Sequence, residues 1–191
     1  MPGLILYRKD FLCFANNCDH KFLKKMELKL TNEAKKYLDD IRSNWKIRLY
    51  FLKNLPTAFW WGLRVIEASP AFCKVSIPFN WRTQNPFNSI YFAALAGAGE
   101  LATGTLANMA RLGKGSISML VVDQSAEFVK KADGKIIFTC NQGLEAHKVV
   151  DEAIATGEGK TITMTATGTN LKGETVCKIH ITWSFKQRTK K

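Results

Sequence analysis

Charge is almost absent from the middle of this 191-residue chain. From Thr83 to Ala110, between Arg82 and Arg111, the only charged side chain is Glu100. Histidine is scarce too, with three in the whole sequence, and no Ser/His/Asp or Cys/His grouping stands out. Nucleophilic triads are therefore set aside. Acidic residues are outnumbered, 16 against 28 basic, for a net charge of +12. Such an excess favours an anionic partner. The lysines are dispersed, however, and no RNA- or DNA-binding motif is present, which argues against nucleic acid. No secretory signal opens the chain, because Leu4–Tyr7 is too short an apolar run and Arg8, Lys9 and Asp10 follow it. The five cysteines are odd in number and irregularly spaced, in a chain too large to need disulfide staples, so a reducing, cytoplasmic setting is expected. Cys13, Cys18 and His20 match no zinc spacing, and neither metal nor cofactor is expected.

What is present is a patterned single domain. Residues 1–25 read as a poorly ordered extension, with Met26 a possible translation start, residues 26–186 as the domain, and 187–191 as a basic tail. Thr31 is a plausible N-cap. Ala34, Tyr37, Leu38, Ile41, Trp45, Leu49 and Leu52 then recur at helical spacing, predicting one amphipathic helix that ends at Asn54-Leu55-Pro56. Short strands are predicted over 63–68 and 71–77, turning at Ser69-Pro70. After the loop 80–88 comes a helix apolar on every side, with Ser89 as its expected N-cap. A strand over 116–130 is expected to turn at Ala132-Asp133-Gly134 and return as 135–141. A short helix over 144–155 precedes a final hairpin, in which Cys177, Ile179, Ile181, Trp183 and Phe185 share one face. His147 and His180 read as surface residues. The order of elements implies an α+β fold: an antiparallel sheet of about six strands wrapped around one long central helix.

Two tempting motifs fail on context. Gly97-Ala98-Gly99-Glu100-Leu101-Ala102 fits a dinucleotide fingerprint, yet a β-hairpin follows downstream where further alternating strands and helices are needed. The stretch from Ile90 to Ala110 is long enough to span a bilayer, but Glu100 would sit at its centre, and the flanking strands need a core to cover. A membrane span is set aside.

Glu100 on a buried helix costs several kcal/mol unless paired or neutralised, which marks it for function or for a structural ion pair. Asn85, Tyr91-Phe92-Ala93 and Glu100-Leu101-Ala102-Thr103-Gly104 together resemble the hotdog-fold thioesterases. The chain looks closest to a little-characterised branch that also occurs fused to acetyltransferases, and it also resembles the phenylacetate-degradation type. The resemblance covers about residues 30–186. It implies that Asn85 stands at an Asn/Gln position of the family, Glu100 at its catalytic carboxylate, and Phe92 at its backbone oxyanion donor. Tyr91-Phe92-Ala93 replaces the family's His-Gly-Gly. Ser118 falls where some relatives keep a water-orienting serine.

The expected activity is hydrolysis of acyl thioesters of coenzyme A or of a carrier protein. Tyr91 would belong to an aromatic acyl pocket, and Lys130, Lys131 and Lys135 would hold phosphates. The alternative is a non-catalytic acyl or lipid binder on the same fold. Phe92 and Glu100 are eight residues apart, about 12 Å along a helix, so one chain cannot bring both to one carbonyl. A homodimer, or a tetramer of dimers, with a composite site is therefore expected.

Overall fold

The computed structural model describes residues 29–188. The expected extension over residues 1–25, and with it Cys13, Cys18 and His20, lies outside them.

The described residues open with three helices, α1 (Asn32–Arg42), α2 (Asn44–Asn54) and α3 (Pro56–Trp61), followed by strands β1 (Arg64–Ala68) and β2 (Cys73–Ile77). The long α4 (Phe92–Arg111) leads into β3 (Ile117–Phe128) and β4 (Ile136–Cys140), then α5 (Gly143–Thr156), β5 (Lys160–Thr169) and β6 (Thr175–Gln187). The strands form one six-stranded sheet in the order β1-β2-β4-β5-β6-β3. Every pairing in it is antiparallel. The sheet wraps α4, as the hotdog resemblance implies.

Alternation decides which faces meet. Cys73, Val75 and Ile77 of β2 are fully buried, as are Cys177, Ile179 and Phe185 of β6. Against them α4 buries Ala94, Ala98, Ala102 and Leu106. The small residues permit contact too close for any side chain. A Cβ on Gly99 would lie 2.6 Å from the Ile179 Cβ, and one on Gly97 would lie 2.8 Å from the Trp61 ring. Close approach of sheet and α3 to the helix is thus one reason for the glycines. Ser69 closes the β1–β2 turn by accepting from the Ala71 and Phe72 amides.

Four local expectations are corrected. The N-terminal helix is broken in two at Ser43, whose backbone is extended (φ −84°, ψ 107°). Ser43 and Asn44 are residue types that favour caps over helix interiors. The break changes the buried face. Ile47 and Phe51 go inside, while Trp45, Leu49 and Leu52, expected on the apolar face, are 67%, 58% and 54% exposed. Thr31 caps α1 as expected, accepting from the Ala34 amide, and also donates to the Leu112 carbonyl at the far end of α4.

The N-cap of α4 is Tyr91, not Ser89. Ser89 instead serves the preceding loop, donating from both amide and hydroxyl to Asn85 Oδ1. The expected β3–β4 hairpin does not form. β3 pairs with β6 at the sheet edge, and β4 pairs with β2 and β5. An edge position suits β3 because its apolar residues do not alternate: Leu120, Val121 and Val122 run consecutively and all are exposed.

The fourth correction concerns His147, which is buried (3% exposed) rather than on the surface. It lies on the inner face of α5 beside Ala146 and Val150. His180 is half-buried on β6, hydrogen-bonded to Thr165 Oγ1 (2.9 Å) and 3.4 Å from Glu127 Oε1.

Candidate active site

Glu100 occupies the ninth position of α4 and lines a cleft of about 660 Å³. The cleft is also lined by α1 and α2 (Tyr37, Tyr50, Phe51), by the start of β3, by Trp183, and by two cations, Arg111 and Arg188. The broken N-terminal helix therefore builds one side of the site.

No ion pair or hydrogen bond engages the Glu100 carboxylate among the described residues. Burial alone raises its pKa above the usual carboxylate value.

Its carboxylate is accommodated by two neighbours. A Cβ on Gly104 would approach Glu100 Oε1 to 3.2 Å and Trp183 Cζ2 to 3.1 Å, so glycine at that position leaves room for both. The Trp183 ring is fixed by its indole N–H, which donates to Thr103 Oγ1 (3.1 Å), and Thr103 in turn donates to the Glu100 carbonyl (3.1 Å). Ser118 lines the same cleft and donates to the Lys186 carbonyl (3.0 Å), which leaves its oxygen able to accept. Gly104, Trp183 and Thr103 were not singled out from sequence. Gly104 stood in the motif, one helical turn beyond Glu100, and that spacing was its available signal.

The other expected site residues lie elsewhere. Asn85, Tyr91 and Phe92 do not line the Glu100 cleft. Asn85 Oδ1 is committed to its own loop, accepting from the Phe87 and Ser89 amides. The loop is further strapped by the Tyr91 amide, which donates to the Thr83 carbonyl (2.7 Å), and by the Ile90 amide, which donates to the Ala132 carbonyl (2.8 Å). These bonds fix the start of α4.

The first intrahelical acceptor there, the Tyr91 carbonyl, serves the amides of Ala94 and Leu95. The amides of Phe92 and Ala93 meet no acceptor among the described residues, at the positive end of a 20-residue helix. The Phe92 ring is 60% exposed and sits edge-on to Tyr91, centroids 4.9 Å apart.

Of the three lysines, Lys130 is engaged by Glu174 (2.7 Å), and Lys131 is exposed and lines neither cleft described here. Lys135 lines a second cavity together with Arg48, Arg64 and Arg82. No three His, Cys, Asp or Glu side chains gather as metal ligands among the described residues. The buried thiols of Cys73, Cys140 and Cys177 are pushed up by desolvation, to about 12, 11 and 11, which leaves them protonated and poor nucleophiles. Among the described residues no helix is long and apolar enough to cross a membrane.

Residues 44–185 match a family model described as a domain of unknown function, DUF4442. The chain belongs to this family. No sequence among the curated proteins matches it. Solved structures share the architecture at low identity. A protein of unknown function from Chlorobaculum tepidum is 14% identical, with a TM-score of 0.64 over 81% of this chain and 94% of its own. A candidate thioesterase from Shewanella oneidensis is 8% identical, with a TM-score of 0.62 over 81% and 99%. The thioesterase HI1161 from Haemophilus influenzae is 11% identical, with a TM-score of 0.53 over 76% and 91%. These likenesses establish that DUF4442 member and thioesterases share a hotdog fold. The activity of this chain is a separate question.

Proposed function

We propose that this DUF4442 protein hydrolyses acyl thioesters at a site composed from two subunits. The observation that carries the reading is the unpartnered Glu100 carboxylate, half-buried in a cleft wide enough for a substrate. A raised pKa brings a carboxylate closer to neutral pH, where a general base works best.

In the proposed reaction Glu100 takes a proton from water as the water oxygen attacks the thioester carbonyl carbon. The amide of Phe92 of the partner subunit donates to the developing oxyanion, a role that backbone N–H groups at a helix start can fill. As the intermediate collapses the C–S bond breaks, and the proton returns from Glu100 to the departing thiolate. The products are a carboxylic acid and a thiol, and the carboxylate is regenerated.

The β3 edge supports the assembly. It is 12 residues long, unpaired on its outer side, and exposes Leu120, Val121 and Val122 (65%, 45% and 57%). A long apolar edge strand is a template for pairing with another chain. Antiparallel β3–β3 pairing about a two-fold axis normal to the sheet would set both α4 helices on one face, running in opposite directions. That is the arrangement in which the start of one helix can approach the middle of the other.

Coenzyme A and carrier-protein thioesters both fit this chemistry. Turnover of a panel of acyl-CoA esters of increasing length, beside Glu100→Gln, tests it. Hydrolysis lost with the Gln variant supports the reading. Tight acyl-CoA binding without turnover in the wild type would favour the non-catalytic acyl binder instead.

A further inference from the structure

The second cavity, about 460 Å³, is lined by four cations, Arg48, Arg64, Arg82 and Lys135, and by no carboxylate. Several surface lysines elsewhere are neutralised locally. Lys46, Lys74, Lys114, Lys130, Lys160 and Lys178 all have acidic partners within 4 Å. None of the four cavity cations has one among the described residues. Four like charges lining one cavity make a positive field that attracts an anion.

The four are held by different parts of the fold. The Arg48 guanidinium lies 5.1 Å from the centroid of the Phe59 ring. Stacking of this kind leaves the N–H edges available for a ligand. Arg82 is placed by an Asn80 turn, its amide donating to Asn80 Oδ1 (3.0 Å). Arg64 and Ser76 are directly opposed across β1 and β2 and share a face. Ser76 is 3% exposed, lines the cavity, and has no hydrogen-bond partner among the described residues. Its hydroxyl lines the same space as the cations and can donate to a ligand there. Gly62, also in the lining, adopts the left-handed conformation (φ 72°) that favours glycine.

Three guanidinium forks, one ammonium and a hydroxyl suit a ligand with several phosphate oxygens, because guanidinium binds phosphate in a bidentate fashion. We propose that this cavity binds the diphosphate of a nucleoside diphosphate. The loop that carries Arg82 also leads into the start of α4. Resting on the thioesterase reading above, the inference is that the thiol carrier is coenzyme A, whose nucleotide end sits here, and not a carrier protein.

The test uses the full chain and ADP as the probe, followed by titration calorimetry and then by acyl-CoA kinetics. ADP should bind, and pantetheine, which lacks phosphate, should not displace it. Each of Arg64→Gln and Arg82→Gln should weaken ADP binding by roughly 10- to 100-fold, the range for a hydrogen bond to a charged group. KM for acyl-CoA should rise in step while kcat holds. Arg→Lys at either position keeps the charge, guards against misfolding and should fall between wild type and Gln.

ADP binding that survives both Gln substitutions would overturn the site. So would cosedimentation with phosphatidic acid vesicles by a protein that does not bind ADP, which would assign the cations to a lipid headgroup. Hydrolysis with a KM indifferent to the arginines would remove this cavity and leave the thioesterase reading standing. ADP binding lost in the Gln variants of a protein that hydrolyses nothing would uphold the cavity and remove the reaction.

Discussion

The two ends of the functional part of α4 are opposites. At its middle, Glu100 is a carboxylate that makes no ion pair among the described residues, and burial makes it more basic. At its start, the amides of Phe92 and Ala93 meet no acceptor, and the nearby loop presents Arg82 to a cavity of cations without acids. Most proteins pair such groups internally, and this one does so over much of its surface. The lesson is that one helix carries, about 12 Å apart, two unpaired groups of opposite character, each suited to a different part of one substrate. One end would withdraw a proton and the other would accept negative charge.

The sharpest way to break this contrast is to neutralise the carboxylate. Glu100→Gln should reduce hydrolysis by at least ~10²-fold, the lower end of the contribution of a positioned base. It should also hold or raise the melting temperature at neutral pH, because a desolvated charge is removed. The sign follows from the raised pKa. The native state keeps the Glu100 proton at pH values where the unfolded chain has lost it. Stability from this group is therefore present at low pH and is lost as pH rises through the raised value. Glu100→Asp should be intermediate in rate.

His147 provides an opposite case in the same fold. Burial, with Lys114 adding to it, lowers its pKa from 6.5 to about 4. Its neutral form is the native one, so stability from this group is complete above pH 6.5 and is lost as pH falls toward 4. Its Nε2 has no hydrogen-bond partner among the described residues. His147→Leu should therefore flatten the acid limb of a melting-temperature profile while leaving turnover near wild type. A profile that keeps its slope would show that His147 is not the group responsible.

Gly104→Ala places a methyl where Glu100 Oε1 and Trp183 now lie, at 3.2 and 3.1 Å. It should cost about 1–3 kcal/mol from overpacking, and kcat should fall through displacement of the base. Unaltered kcat would mean that Glu100 does not act from this position. The smallest effect is expected at Ser118. Its hydroxyl already donates to Lys186, so Ser118→Ala should reduce kcat by less than ~10-fold, about the worth of one neutral hydrogen bond.

How much of this was legible in the sequence depends on the range of the interaction. Glu100 stood out because an apolar helix advertises any charge. Strand faces such as Cys177 to Phe185 were readable because alternation is local. The Ser43 break was not, since it depends on a competition between helix continuation and local capping that periodicity does not record. β3 looked like half of a hairpin because Ala132-Asp133-Gly134 is turn-like, yet pairing with β6 won by register over 11 residue pairs. The basic cavity was beyond reach: Arg48, Arg64, Arg82 and Lys135 are far apart in sequence and meet only after β1, β2 and the loop are in place. Lys135 was chosen from local charge with Lys130 and Lys131, and the fold separates it from both.

The central claim is that Glu100 of one subunit and the Phe92 amide of the other act on one carbonyl. Phe92→Pro removes that N–H, and proline is well tolerated at the first position of a helix. Glu100→Gln and Phe92→Pro homodimers should each be inactive, whereas in a mixed dimer one of the two sites keeps both groups. Refolding the two variants together in equal amounts and measuring hydrolysis should restore about a quarter of wild-type turnover, since half of the dimers are mixed and each has one intact site. Mixed dimers that form and remain as inactive as their parents would contradict the account.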